Sequence, residues 1–299
     1  MNLSNFGMDT ITLAGPLEAK LRAVKTAGFT QIMLSARDLV GHPDGFDAAV
    51  QAVKLSGLRV SGFQVMRDYE GLTGDLHDYK LEVAKSMLRM ASAVGAPLLL
   101  VCSSTSSHSR DDVDQIARDL RKLATLALPL GLRIAYEALS WGRHIHEYTQ
   151  AWEAVARADT ENLGIVLDSF HLLASGTPLD GIEDIEPRKL FFVQLSDFMW
   201  RTINTPTERM ETARHMRVFP GEGVHSEELA ALVRQLDRCG YRGDYSFEVF
   251  NDDYQQMPLE VVTERARKAA KWVTDRVLRR SLPILQPRKP AAVPLAVAG

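Results

Sequence analysis

GIVLDSFHLLASG, residues 164–176, is an apolar run that ends on a carboxylate, Asp168, with Ser169, Phe170 and His171 directly behind it. Four residues with no polar alternation, 164–167, read as part of a strand buried on both faces, the habit of a parallel sheet covered by helices. The aspartate then has two readings. It can cap the turn or helix that follows, or it can be placed at the strand end for chemistry. Which reading holds depends on how the neighbouring runs end.

Outward from this stretch the same grammar repeats. LRIAYEA (132–138) precedes a helical pattern near 147–158, KLFFVQLSD (189–197) leads through a long loop to one near 226–239, and DYSFEVF (244–250) leads to a last one near 259–280. Upstream, DTITLAG (9–15) is followed by Leu17, Leu21, Val24 and Ala27 at helical spacing, stopping at Gly28. QIMLS (31–35), RVSGFQV (59–65) and PLLLVC (97–102) precede helices near 46–56, 79–94 and 112–128, and a short segment near 180–185 follows the opening strand. Eight strand-plus-helix units in an α/β chain of this length predict a closed (β/α)8 TIM barrel. No GxGxxG in LAGPLEAK supports an open dinucleotide-binding sheet. The expected organisation is one barrel domain over 1–280 with a Pro-rich C-terminal extension, 281–299.

Composition bounds the function. With 45% hydrophobic and 24% charged residues and a net charge of −3, the chain can bury a large core and carries no basic footprint for nucleic acid. Its two cysteines, Cys102 and Cys239, form no CxxC pair, so a reducing, cytoplasmic location is expected. No run approaches membrane-spanning length. A homo-oligomer is compatible with all of this.

At a barrel's C-terminal mouth, strand-end polar residues carry the chemistry. Strands five to eight end in Glu137, Asp168, Gln194 and Glu248. Three carboxylates crowded together repel unless neutralised, and oxygen donors suit a divalent metal ion, Mn²⁺, Mg²⁺ or Co²⁺. His171 lies three residues past Asp168, placed to ligate or to transfer protons. Candidate substrate-binding residues are Arg67, just past strand three, Arg143 and His144 in WGRHIH (141–146), and Arg217 ahead of FPGEG. Any of these arginines could hold a carboxylate through a two-point contact. Cys102, ending strand four, reads equally as packing or as a site thiol.

YEALSWGRHI, LGIVLDSFHLLASG, FFVQLSD, RHMRVFPGEG and SFEVFND together resemble the bacterial 3-dehydroshikimate dehydratases, within the xylose isomerase-like sugar isomerase/epimerase superfamily, over most of residues 9–254. The resemblance implies a TIM barrel, a metal held by Glu137, Asp168, Gln194 and Glu248, an active-site histidine at His171 and a substrate-contacting arginine at Arg217. It implies conversion of 3-dehydroshikimate to protocatechuate through an enediolate, a step of quinate and shikimate catabolism, with His171 transferring protons and Arg217, with Arg67 or Arg143, holding the carboxylate. Three positions depart from the pattern. Met33 and Ala36 stand where relatives carry acidic residues after strand two, and Ala213 stands where they carry serine. All three are expected at the rim, where substrate choice is made.

The partner expected is therefore a small polyhydroxy keto acid. The competing enzyme reading is a sugar or sugar-phosphate isomerase/epimerase acting on a keto-sugar with the same metal site and no need for a carboxylate anchor. A silent binding module would have no reason to keep four ligands. An endonuclease of similar fold would need a richer histidine cluster and a basic groove.

Overall fold

The computed structural model describes residues 3–278; the boundary expected at 280 and the proline-rich tail lie outside them. Eight parallel strands close into a barrel: β1 (Phe6–Asp9), β2 (Gln31–Ser35), β3 (Arg59–Met66), β4 (Leu98–Cys102), β5 (Arg133–Glu137), β6 (Leu163–Asp168), β7 (Leu190–Leu195) and, after an insertion, β10 (Tyr245–Phe247). β10 pairs with both β7 and β1 and so shuts the ring. The insertion carries a two-stranded antiparallel sheet, β8 (Asp197–Phe198) with β9 (Arg217–Val218). No helix among the described residues is long and apolar enough to cross a membrane.

The period of two along each strand sorts side chains into two cores. Leu98, Leu100, Ala135, Val166 and Phe192 form the inner cluster with Met33. Their neighbours Leu99, Val101, Ile134, Tyr136, Ile165, Leu167 and Val193 join the larger outer cluster under the helices. Continuing the inner parity to the strand ends brings Cys102, Glu137, Asp168 and Gln194 inward at the mouth.

Two of the three departures are not at the rim. Met33 is fully buried in the inner cluster, and a Cβ on Gly62 of the next strand would lie 2.7 Å from its sulfur, so glycine there makes room for it. Ala36 begins a short helix, Ala36–Val40, and packs against the outer core. Only Ala213 lines the mouth.

The first strand also differs from expectation. DTITLAG is the turn that follows β1: Thr10–Thr12 form a 3₁₀ turn, and the strand ends at Asp9. After β6 the helix is Ser169–Ser175, the segment near 180–185 being a 3₁₀ turn at Asp180–Asp184. The long loop holds a further helix, Pro206–His215, begun by a Thr205–Glu208 capping box. The last helix is regular over Leu259–Lys271 and continues as a π turn over Trp272–Val277.

Candidate active site

Asp168 turns out to do both things its position allows. Its Oδ1 accepts the Phe170 N–H at 2.8 Å and caps the helix Ser169–Ser175, while Oδ2 accepts from Arg217 Nη1 at 2.7 Å. One oxygen starts a helix and the other belongs to the mouth.

Around it the neighbouring strand ends converge. Glu137 is buried, with Oε2 accepting the Cys102 thiol at 2.9 Å and Oε1 left without a partner. Glu248, directly after β10, accepts from Arg217 Nη1 at 3.2 Å. Gln194 lies between them on β7, its Nε2 donating to Asp9 Oδ2 at 2.7 Å and to Gln64 Oε1 at 3.2 Å. Its Oε1 is buried and unpartnered. Burial, reinforced by the charges of Glu248 and Asp168, pushes the Glu137 carboxyl well up. Burial also raises Glu248 to about 7 against the lowering effect of Arg217, and burial with the Glu248 charge raises Asp9.

His171 completes the cluster. Ligand atoms of Glu137, Asp168 and His171 all lie within 4.8 Å of one another. Its Nδ1 accepts the Ser140 backbone N–H at 3.1 Å and also meets Ser140 Oγ at 3.1 Å. A backbone amide can only donate, so Nδ1 presents its lone pair and Nε2 carries the hydrogen. That Nε2 stands 3.6 Å from Asp168 Oδ2 and 3.9 Å from Glu137 Oε1. Burial lowers the imidazole to about 3, with Asp168 opposing, so it is neutral near pH 7. The geometry narrows His171 to an N–H donor at Nε2.

Two unpartnered buried oxygens and mutually repelling carboxylates are what a divalent cation relieves, and a set of carboxylate and amide oxygens is hard-cation chemistry. The residues fit such an ion: ligand atoms of Glu137, Asp168 and His171 stand close together, with Gln194 and Glu248 at the adjoining strand ends.

A pocket opens over the cluster, walled by Ile11, Leu100, Leu139, Trp141 and Phe250 and floored by Cys102, Glu137 and His171. Arg67 is exposed at its rim, and among the described residues its guanidinium makes no hydrogen bond or ion pair. Arg214 is likewise exposed at the rim.

Arg217 lines the pocket but is buried, with Nε on the Ala213 carbonyl at 2.9 Å, Nη1 on two carboxylates and its plane against Phe170. It is first a counter-charge to Asp168 and Glu248. Arg143 and His144 are not among the residues that line this pocket. Arg143 is exposed and lies outside the pocket lining, its backbone N–H on the Ser104 carbonyl. His144 faces the loop after β4, with Nε2 on the Ser109 carbonyl at 2.9 Å and Nδ1 3.6 Å from Asp111. They fasten loops together outside the pocket.

Asp9, Gln64 and Arg214 were not anticipated. Asp9 was hidden by the misplaced first strand; Gln64, one residue inside the end of a strand expected at 59–65, carries no charge to mark it. Arg214 stands in a helix with little apolar periodicity.

A model of the xylose isomerase-like TIM barrel family matches residues 21–276. The chain is 39% identical over 250 residues to a 3-dehydroshikimate dehydratase of Pseudomonas aeruginosa, covering 83% of this chain and 38% of that protein. It is 36% identical over 249 residues to one of Pseudomonas putida, with the same coverage. It therefore spans well under half the length of these curated relatives. Among solved structures, a xylose isomerase-like TIM barrel/4-hydroxyphenylpyruvate dioxygenase fusion protein superposes with a TM-score of 0.86 at 33% identity, over 93% of this chain and 44% of that one.

Proposed function

The chain belongs to the xylose isomerase-like TIM barrel family, and we propose that within it this barrel dehydrates 3-dehydroshikimate to protocatechuate at a divalent metal site. The observation that carries the reading is the pairing of a buried cluster, Glu137, Asp168 and His171 with Gln194 and Glu248 buried beside it, and a pocket rimmed by two arginines. Relatives named 3-dehydroshikimate dehydratase, at 36–39% identity, support the substrate.

A metal ion in this site supplies Lewis acidity toward a carbonyl oxygen. The residues of the chain bind, orient and shield the ring. Arg67, without a hydrogen bond or ion pair at the rim, and Arg214, which also lines the pocket, bind the ring carboxylate. Arg217 holds Asp168 and Glu248 together by sharing one Nη1 between them. His171 directs its Nε2–H at the oxygen on which charge develops, staying neutral as it does so, because Ser140 occupies Nδ1. Leu100, Leu139, Trp141 and Phe250 keep water from the ring.

Incubating the chelator-stripped protein with 3-dehydroshikimate and Mn²⁺, Mg²⁺ or Co²⁺ should produce the ultraviolet absorption of protocatechuate, and elemental analysis should find less metal in Glu248→Ala than in wild type. Turnover of keto-sugars with no protocatechuate under any of these ions would replace this reading with the isomerase one.

A further inference from the structure

Gln194 is the one neutral residue in the donor set, and that makes it the one whose orientation matters. A carboxylate offers oxygen from either end. An amide ligates a hard cation only through its oxygen, and a flipped amide turns two N–H groups toward the ion instead.

The contacts that sort this amide come from outside the donor set. Asp9, fully buried at the end of β1, accepts the Gln194 Nε2–H on Oδ2 at 2.7 Å. Ser246 Oγ donates to the other oxygen of Asp9 and holds the carboxylate in plane. Gln64 adds a second acceptor, Oε1, to the same nitrogen at 3.2 Å, and its side chain lowers the Glu248 carboxyl. A flip would set the Gln194 oxygen against two acceptors and leave buried groups unpaired. With the nitrogen so held, Oε1 is the buried, unpartnered end. The strand register puts Gln194 beside Asp168 on one side and Ser246, two residues before Glu248, on the other.

Asp9 has no ion-pair partner among the described residues, so a buried carboxylate here is a costly way merely to fill the end of a strand. We propose that Asp9 is a positioning residue for the metal centre: by accepting the Gln194 Nε2–H it commits the amide oxygen to the cation. The inference rests on reading Gln194 as a ligand.

Binding of Mn²⁺ alone to the chelator-stripped full chain, followed through the free-ion electron paramagnetic resonance signal, tests it without substrate. Asp9→Leu should weaken Kd by about 10- to 100-fold, the usual loss for a residue that orients a ligand. Asp9→Asn keeps an acceptor oxygen and should recover most of that loss. In a Gln194→Met background, Asp9→Leu should change Kd by less than about twofold, because the effect runs through the missing amide.

Wild-type Kd in Asp9→Leu, or an equal loss in the Gln194→Met background, overturns the inference and leaves the metal site standing. Wild-type protein that binds no Mn²⁺ overturns both. Should Asp9→Leu not fold, Ser246→Ala carries the test. It frees one oxygen of Asp9, and a smaller loss is expected that vanishes with Gln194→Met; unchanged affinity overturns the proposal.

Discussion

The strand ends of β5, β6, β7 and β10 and those of β2, β3 and β4 face each other across one mouth and handle polar atoms in different ways. The first group crowds Glu137, Asp168, Gln194 and Glu248 together and leaves Glu137 Oε1 and Gln194 Oε1 unpartnered. The second group ends in Ser35, Met66 and Cys102, and the loops behind β3 and β4 turn many of their polar atoms on one another. Asp68 Oδ1 accepts the Thr105 N–H at 2.8 Å, Glu70 Oε1 accepts the Ser104 N–H and the Tyr136 hydroxyl, and the Arg110 N–H reaches the Gly71 carbonyl at 2.9 Å. Both halves keep buried atoms without a partner, but they sit differently: Glu137 Oε1 and Gln194 Oε1 lie among the strand-end carboxylates, whereas Glu70 Oε2, Tyr69 Oη and Ser109 Oγ lie in the loops behind β3 and β4 that present Arg67.

The comparison breaks first at His171, where the largest effect is expected. His171→Ala should lower kcat by about 10²- to 10⁴-fold with metal content unchanged. His171→Gln returns an N–H donor and should recover part of the loss if donation from Nε2 is what matters. Equal, near-complete inactivity of both variants would mean the imidazole accepts a proton, and the Ser140 contact would have to open during turnover.

The fastened half can be probed through Glu70. Burial, opposed by its hydrogen bonds, raises this carboxyl to about 7, above the value near 4.3 of an unfolded glutamate. A folded pKa above the unfolded one means stability that is complete below about pH 4.5 and is lost as pH rises through 7. The contribution is roughly 3 kcal/mol over that window. Thermal unfolding of wild type and Glu70→Gln at pH 5, 6, 7 and 8 should show the difference moving in the variant's favour up to about pH 7 and then levelling. Other titrating groups are common to both proteins and cancel. Parallel curves would mean Glu70 is ionised throughout and the fastening is an ionic one.

Legibility in the sequence followed the same division. Seven of the barrel strands lay where apolar runs predict them, because strands buried on both faces leave no polar alternation to confuse the reading. The carboxylates were visible because each ends such a run. What stayed hidden depends on contacts between units. β1 is only Phe6–Asp9, and its apolar signal continues into DTITLAG, so the pattern points to a strand that begins where β1 ends and does not mark Asp9 as a strand end. Arg143 and His144 follow a strand directly, as site residues do, yet the loop after β4 claims them. Arg217 looked like a surface-facing anchor because no local pattern shows that Asp168, forty-nine residues earlier, would take its Nη1.

That last contrast sets the mildest and most discriminating expectation. Arg217 is buried and committed to carboxylates of the chain, whereas Arg67 is exposed and free. If the rim arginine binds the substrate's carboxylate, Arg67→Met loses one charge-assisted contact in a partly solvated place, at the low end of about 1.5–3 kcal/mol. KM for 3-dehydroshikimate should rise about tenfold or somewhat more while kcat and metal content hold. Arg67→Lys should recover only part, since an ammonium cannot make the planar two-point contact. Arg217→Met should behave differently, lowering metal affinity as well, because Asp168 and Glu248 lose their shared donor. A KM unmoved by Arg67→Met would shift the anchor to Arg214 or remove the need for an acid. A neutral keto-sugar turned over equally by wild type and Arg67→Met would favour the isomerase reading of the same metal cluster.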